Sequence, residues 1–227
     1  MQSEYKYILC DIEGTTTSIH FVSDVLFPFF RSNIHELNTF SDTEIFTDAF
    51  LEAQKIAATE GVELKEKDQF IKQLVQWSLE DRKIKPLKDL QGVIWKKGYE
   101  QGILKGHVFD DVLPAFERWI EQSFKIAIYS SGSVPAQKLL LEHSIKGDLS
   151  KYLCAYFDTK VGSKKEINSY KTIATLLDCS EEKILFLSDA HTELECASKA
   201  GYNTIQLCRE QMQPTWKKVA FTFDDIF

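Results

Sequence analysis

The residues able to do chemistry in this chain sit at the ends of apolar runs. "YILCDIEGTTTSIHF" places Asp11 at the tip of one run, Glu13 two residues on, and Gly14 at the turn. "FKIAIYSSGS" ends a second run in Ser130 and Ser131, and "KILFLSDA" ends a third in Asp189. "VGSKKE" brings Lys164 and Lys165 between the last two. Two carboxylates at neighbouring strand ends repel, and an oxygen-seeking divalent cation such as Mg²⁺ removes that repulsion. A serine hydroxyl and backbone N–H groups before a helix form an anion site, and either lysine adds a positive charge. Gly14 allows a sharp turn with N–H groups facing inward. The set suits phosphoryl transfer: Asp11 attacks phosphorus to give an aspartyl phosphate. Glu13 protonates the leaving oxygen and then activates water.

Each group also has a plainer reading. Asp11 closes a strand as a solvated loop end, "SSG" is a turn before a helix, Asp189 is the N-cap of the helix that follows, and Lys164 is a surface lysine. The order of all four at strand ends of a single pattern favours the joint reading.

The elements that must hold them follow from the periodicity. Tyr5–Cys10 reads as a buried strand. Over 19–106 charged and apolar residues interleave at helical spacing, as in Phe46, Ala49, Phe50 and Ala53, then Phe70, Leu74, Trp77 and Ser78. This predicts an all-helical insertion of about four helices with no strand. From His107 the pattern alternates. A helix presents Val112, Leu113, Phe116, Trp119 and Ile120 on one face. A strand runs from Phe124 to Tyr129, then a helix, a short strand "AYFD", a helix with Ile167, Tyr170, Ile173, Ala174 and Leu177, the strand "KILFLSD", a helix with Gly201 after its end, and a strand "YNTIQL". Alternation of this kind predicts a parallel α/β sheet with helices on both faces. The expected division is a core of 1–18 and 107–227 and a helical cap of 19–106. Ligands of such sheets bind beyond the carboxyl ends of the strands.

With 227 residues the chain has room for a core domain and a smaller one. A formal net charge of -7 argues against a nucleic-acid surface. Cys10, Cys154, Cys179, Cys196 and Cys208 form no CxxC pair, which fits a reducing compartment. No leader and no apolar run of membrane-spanning length is visible, so the expectation is a cytoplasmic protein that binds neither membrane nor nucleic acid.

The motif order resembles the haloacid dehalogenase-like phosphatases, with an acid pair at Asp11 and Glu13, a hydroxyl residue at Ser130 or Ser131, a lysine at Lys164 and an acidic motif at Asp189. The second acid is Glu where that superfamily has Asp. With "DRK" at Asp81–Lys83, "LQGVIW", "YSSGSVPAQKLL", "FDTKVG" and "ILFLSD", this is similar to the enolase-phosphatase, or acireductone synthase, branch over most of the chain. The resemblance implies a monomeric Mg²⁺ enzyme of methionine salvage. It would convert 2,3-diketo-5-methylthiopentyl-1-phosphate to its enol phosphate and then to acireductone and phosphate. Asp11, Glu13 (through its carbonyl) and Asp189 would hold the metal. Ser130, Ser131 and Lys164 would hold the substrate, with Lys164 rather than Lys165 facing the site. Glu193 would support the metal site in place of a second Asp, or simply start a helix. Trp77, Trp95 and Tyr99 would line the cap or form its core, and Arg82, Lys83 and Lys88 would reach substrate or lie on its surface. Another phosphate ester, a phosphoryl receiver and an inactive binding protein are the competing readings. A receiver carries its lysine last in chain order, whereas here Lys164 precedes Asp189.

Overall fold

The structure is a computed structural model that describes residues 5–210 and 212–227; residues 1–4 and 211, counted in the expected core, lie outside it. Two compact units divide the chain. One comprises Lys105–Phe227 with the segment up to Ile19, and the other is His20–Leu104.

The first unit is built on a six-stranded parallel sheet in the order β3-β2-β1-β4-β5-β6. Its strands are β1 (Tyr7–Cys10), β2 (Lys125–Tyr129), β3 (Leu153–Phe157), β4 (Ile184–Ser188), β5 (Asn203–Leu207) and β6 (Val219–Ala220). Every residue of β1 and β4 is buried, which is why both read as unbroken apolar runs rather than alternating ones. β1 pairs with β2 on one edge and β4 on the other, with Cys10 opposite Ile128 and Leu187. The strand order reverses between β1 and β4, the position beyond whose carboxyl ends such sheets bind ligands.

Four helices of this unit cover the sheet: α6 (Val112–Glu121), α7 (Val134–Glu142), α8 (Ile167–Leu176) and α9 (His191–Lys199). On one face Tyr7 and Leu9 of β1 pack with Tyr170, Ile173 and Ala174 of α8 and Leu194 and Ala197 of α9. α6 buries Val112, Ala115, Phe116 and Trp119, an i, i+3, i+4, i+7 stripe. Leu113 and Ile120 lie one step off that stripe, so Leu113 is only partly buried and Ile120 is 43% exposed. Phe116 and Trp119 pack against Phe223 near the C-terminus. Truncating either to Ala would cost about 3–5 kcal/mol.

Some boundaries differ from expectation for local reasons. β2 starts at Lys125 rather than Phe124, because Ser123 takes a positive φ of 69° and Phe124 N–H still closes the turn onto Trp119 O at 2.9 Å. α8 starts at Ile167, which leaves Lys164 and Lys165 in the preceding turn and not in a helix. β6 was not expected: two residues carry too little periodicity to be read. Gly201 follows the C-cap Ala200 of α9 with φ of 106°, as expected.

The second unit is helical, with no strand among its described residues. A short α1 (Ile19–Phe21) leads into it and runs through a π-helical turn, Val22–Leu26, into α2 (Phe27–Ser32). α3 (Glu44–Thr59), α4 (Lys67–Leu79) and α5 (Lys85–Glu100) follow. The N-terminus of α4 is closed by Glu66 N–H on Gln69 Oε1 at 3.1 Å, and Pro86 opens α5. Phe46, Ala49, Ala53, Phe70, Leu74, Trp77 and Ser78 are buried, while Phe50 is half-buried and stacks on Phe70 at 5.0 Å. Trp77, Trp95 and Tyr99 belong to this interior, and Trp95 Nε1 donates to Leu26 O at 2.9 Å. Arg82 forks onto Glu60 at 2.9 and 2.6 Å, and Lys83 pairs with Asp81 at 2.6 Å. Lys88 lies partly buried on α5.

Candidate active site

The register of β1 sets the site. Asp11 follows Cys10, and its N–H donates to Leu187 O of β4 at 2.9 Å, so the strand ladder runs up to the carboxylate. The chain then turns within six residues. Ile12 O accepts the N–H groups of Thr15, Thr16 and Thr17, and Gly14 N–H returns to Thr17 O at 2.8 Å. Gly14 has φ of 72°, and a Cβ there would stand 2.4 Å from Asp189 Oδ2. Only glycine allows Asp189 to approach this turn.

The three threonines are fully buried and each anchors the turn. Thr15 Oγ1 accepts Asp189 N–H at 3.0 Å. Thr16 Oγ1 donates to Asp11 O at 3.2 Å. Thr17 Oγ1 donates to His107 O at 2.7 Å. A run that looks like a polar loop is therefore a bracket that ties β1 to β4 and to the segment before α6.

Asp11 is buried, and its Oδ1 accepts Ile12 N–H at 2.7 Å and Lys164 Nζ at 2.6 Å. Lys164, also buried, places the same ammonium 2.6 Å from Glu193 Oε2. Burial opposes the charged amine, but Asp11 and Glu193 outweigh it and its pKa ends raised. Glu193 is itself pushed up, by burial first and Asp11 second. Ser188 Oγ lies 2.9 Å from Glu193 Oε2 and 3.5 Å from Asp11 Oδ2; with a single proton it serves the shorter contact. Burial, then Asp11 and Glu193, push Asp189 up to about 7.

Lys164 is thus in direct contact with both Asp11 and Glu193, and Asp189 lies within their field. Lys165 is exposed, so the ammonium that meets Asp11 belongs to Lys164. Glu13 is partly buried on the same turn and bridges to Thr17 through the backbone. Ser130 is buried, but its Oγ accepts Gly132 N–H at 3.2 Å and so braces its own turn; Ser131 beside it is more open. Asp189 is not the N-cap of α9: Ala190 is, and its N–H meets Ser188 Oγ at 3.1 Å. Glu193 sits in the first turn of α9 with its carboxylate committed to Lys164 and Ser188. Ser188 and the structural threonines escaped the sequence reading; the signal available was only that "LSD" puts a hydroxyl one residue before the acid.

The donor chemistry fits a divalent cation. Asp11 and Glu193 share one ammonium and Asp189 stands in the same field; burial first, and the neighbouring carboxylates second, raise Asp189 and Glu193. Among the described residues no three acidic, His or Cys side chains close into a metal cage.

Residues 5–201 match the sequence model of the haloacid dehalogenase-like hydrolases. A protein named enolase-phosphatase E1 from Picosynechococcus sp. is 46% identical over 204 residues, 90% of either chain. Another of that name from Cronobacter sakazakii is 42% identical over 97% of this chain and 96% of its own. Among solved structures, the UTR4 protein of Saccharomyces cerevisiae superposes with a TM-score of 0.80 at 30% identity, covering 98% of this chain and 100% of that one. The L-2-haloacid dehalogenase of Xanthobacter autotrophicus shares the fold, with a TM-score of 0.59 at 14% identity over 98% and 96% of the two chains. On the buried aspartate–lysine pair at the head of β1 and on this similarity along nearly its whole length, the chain belongs to the haloacid dehalogenase-like hydrolases and, within them, to the enolase-phosphatases.

Proposed function

We propose that this chain is a Mg²⁺-dependent enolase-phosphatase of methionine salvage. It converts 2,3-diketo-5-methylthiopentyl-1-phosphate to the enol phosphate and then to acireductone and phosphate. The observation that carries the reading is the contact of Asp11 with Lys164 at 2.6 Å, at the tip of a strand paired on both edges. A buried carboxylate held against an ammonium, on a rigid strand end, is a prepared nucleophile.

In this reading the side chains of Asp11 and Asp189 and the carbonyl of Glu13 hold Mg²⁺. When bound, the ion neutralises charge on the phosphoryl oxygens. Glu13 takes a proton from the carbon that bears the phosphate while the neighbouring carbonyl oxygen takes one from solvent, giving the enol phosphate and leaving Glu13 protonated. A carboxylate oxygen of Asp11 then bonds to phosphorus as the phosphorus–oxygen ester bond breaks. Glu13 returns a proton to the leaving oxygen. Water, losing its proton to Glu13, attacks the aspartyl phosphate, releasing phosphate and restoring Asp11. Lys164 balances the charge of Asp11 before transfer and faces the phosphoryl group during it. Ser130 and Ser131, with the N–H groups before α7, offer the phosphate its other donors.

The helical insertion is assigned the part of a water-excluding cap for a reactive enol. The reading also takes the enzyme as a monomer, and as cytoplasmic, the latter in keeping with five free cysteines. The test is turnover of the diketo phosphate with Mg²⁺, following enol absorbance and phosphate release together. Hydrolysis of other small phosphate esters with no enol from this substrate would replace the reading with that of a general phosphatase.

A further inference from the structure

The loop that carries Lys164 is held in an unusual way. Gly162, Ser163 and Lys164 are consecutive, and the carbonyl of each accepts a hydroxyl from another element. Tyr129 OH, at the end of β2, donates to Gly162 O at 3.0 Å. Ser169 Oγ, in the first turn of α8, donates to Ser163 O at 2.7 Å. Tyr170 OH, one residue on, donates to Lys164 O at 2.7 Å. Gly162 has φ of 128°, and a Cβ there would stand 2.2 Å from Ser169 Oγ, so the glycine makes room for the second of these bonds.

The rings that bring the phenols in are themselves fixed. Tyr129 and Tyr170 meet edge to face at 5.6 Å, and Tyr170 meets Phe186 of β4 in the same manner at 5.4 Å. Both tyrosines are fully buried. Burial pushes the Tyr129 phenol up to about 12 and Tyr170 higher still, so both remain donors. A lysine has four rotatable side-chain bonds and loses much freedom when it is fixed. Its ammonium can meet two carboxylates at 2.6 Å each only if its backbone does not drift.

We propose that Tyr129, Ser169 and Tyr170 are positioning residues that clamp the Gly162–Lys164 backbone and so set the Lys164 ammonium between Asp11 and Glu193 for phosphoryl transfer. The inference rests on the proposed function, because it gives the clamp a catalytic purpose through Lys164. A merely structural role would need the hydroxyls for stability alone. Tyr202 supplies the comparison: its buried hydroxyl donates to Tyr170 O at 2.7 Å, a bond of the same kind on a carbonyl outside the loop.

The test compares Tyr129→Phe/Tyr170→Phe and Ser169→Ala with Tyr202→Phe in the full chain with Mg²⁺. Three quantities are read: Tm, the rate of reductive methylation at Lys164 by peptide mass with Lys165 as internal reference, and kcat and KM for the diketo phosphate. The clamp predicts that the first two variants methylate Lys164 several-fold faster at unchanged Lys165. It also predicts that kcat falls about 10- to 100-fold, the scale of a misplacement of about 1 Å, with a smaller change in KM. Tyr202→Phe should lower Tm while leaving Lys164 labelling and kcat as they were. Unchanged Lys164 labelling in the double variant, at whatever Tm, overturns the clamp and leaves the proposed function standing. Faster labelling with full kcat overturns it by the other route, because Lys164 would then have no part in the reaction.

Discussion

Arg209 Nε donates to the carbonyl oxygen of Thr15 at 3.1 Å, joining the segment that follows β5 to the turn that follows Asp11. The same guanidinium pairs with Asp111 at 2.8 Å, donates to Phe221 O at 3.2 Å, and lies over Phe109 and Phe223 at 4.5 and 5.0 Å. Arg209→Met leaves the largely covered Asp111 with the Phe223 N–H but without its ion partner, so stability should fall by about 3 kcal/mol. Arg209→Met/Asp111→Asn should recover part of that loss. Urea unfolding of the two variants decides it, and equal losses would show that Asp111 is not the reason.

Gly14→Ala should be harmful for two separable reasons. Alanine is strained at φ of 72°, by about 1–2 kcal/mol, and its Cβ meets the Asp189 carboxylate. The Tm should fall and phosphate release should drop more than stability alone explains. A variant with a lower Tm but full kcat would show that Asp189 can move aside at no cost to the reaction.

Asp11→Asn cannot form an aspartyl phosphate, yet an amide oxygen remains at the site. Phosphate release should fall by at least about 10³-fold, while enol phosphate still accumulates as ultraviolet absorbance. Glu13→Gln should impair both steps. Normal phosphate release from Asp11→Asn would remove it as nucleophile, and normal enolisation by Glu13→Gln would pass the proton to another residue.

Mg²⁺ binding can be measured without turnover. Titration calorimetry of the enzyme without substrate should show Asp189→Asn binding Mg²⁺ at least about tenfold more weakly, and Lys165→Ala binding it normally. Equal affinity in Asp189→Asn would take that residue out of the metal site.

His107 gives a pH dependence that lies outside the reaction. Its Nδ1 accepts the Ser18 N–H at 3.0 Å, which requires the neutral ring, and burial lowers its pKa. The unfolded chain therefore binds the extra proton first. The contribution is full above the unfolded pKa of about 6.5 and is lost as pH falls through the lower folded value. His107→Gln should flatten the decline of Tm between neutral and mildly acid pH. An unchanged slope would place the titration elsewhere.

Much of this site was legible because its chemistry sits where periodicity ends. Asp11 and Asp189 close apolar runs, and the runs are legible because β1 and β4 are buried on both faces. What supports these residues was hidden by distance along the chain. Arg209 reaches Thr15 across 194 positions, and nothing local in "LCRE" announces it. Tyr170 reads as one more apolar position on the α8 stripe, and its ring does pack in the core. Its second task belongs to the hydroxyl, which periodicity does not register. Lys164 over Lys165 came from the family resemblance and not from periodicity, because both lysines lie in a turn and the helix begins only at Ile167.

The strand order has a consequence for how the protein is made. β1 precedes both of its partners, and the whole of His20–Leu104 separates it from the nearer one. As the chain leaves the ribosome, "YILC" is exposed with two unpaired edges until β2 and then β4 have been synthesised. Asp11 has no ladder beneath it before then, because its N–H waits for Leu187. Asp11 is translated before every strand that β1 pairs with and reaches its place only when the last of them is made.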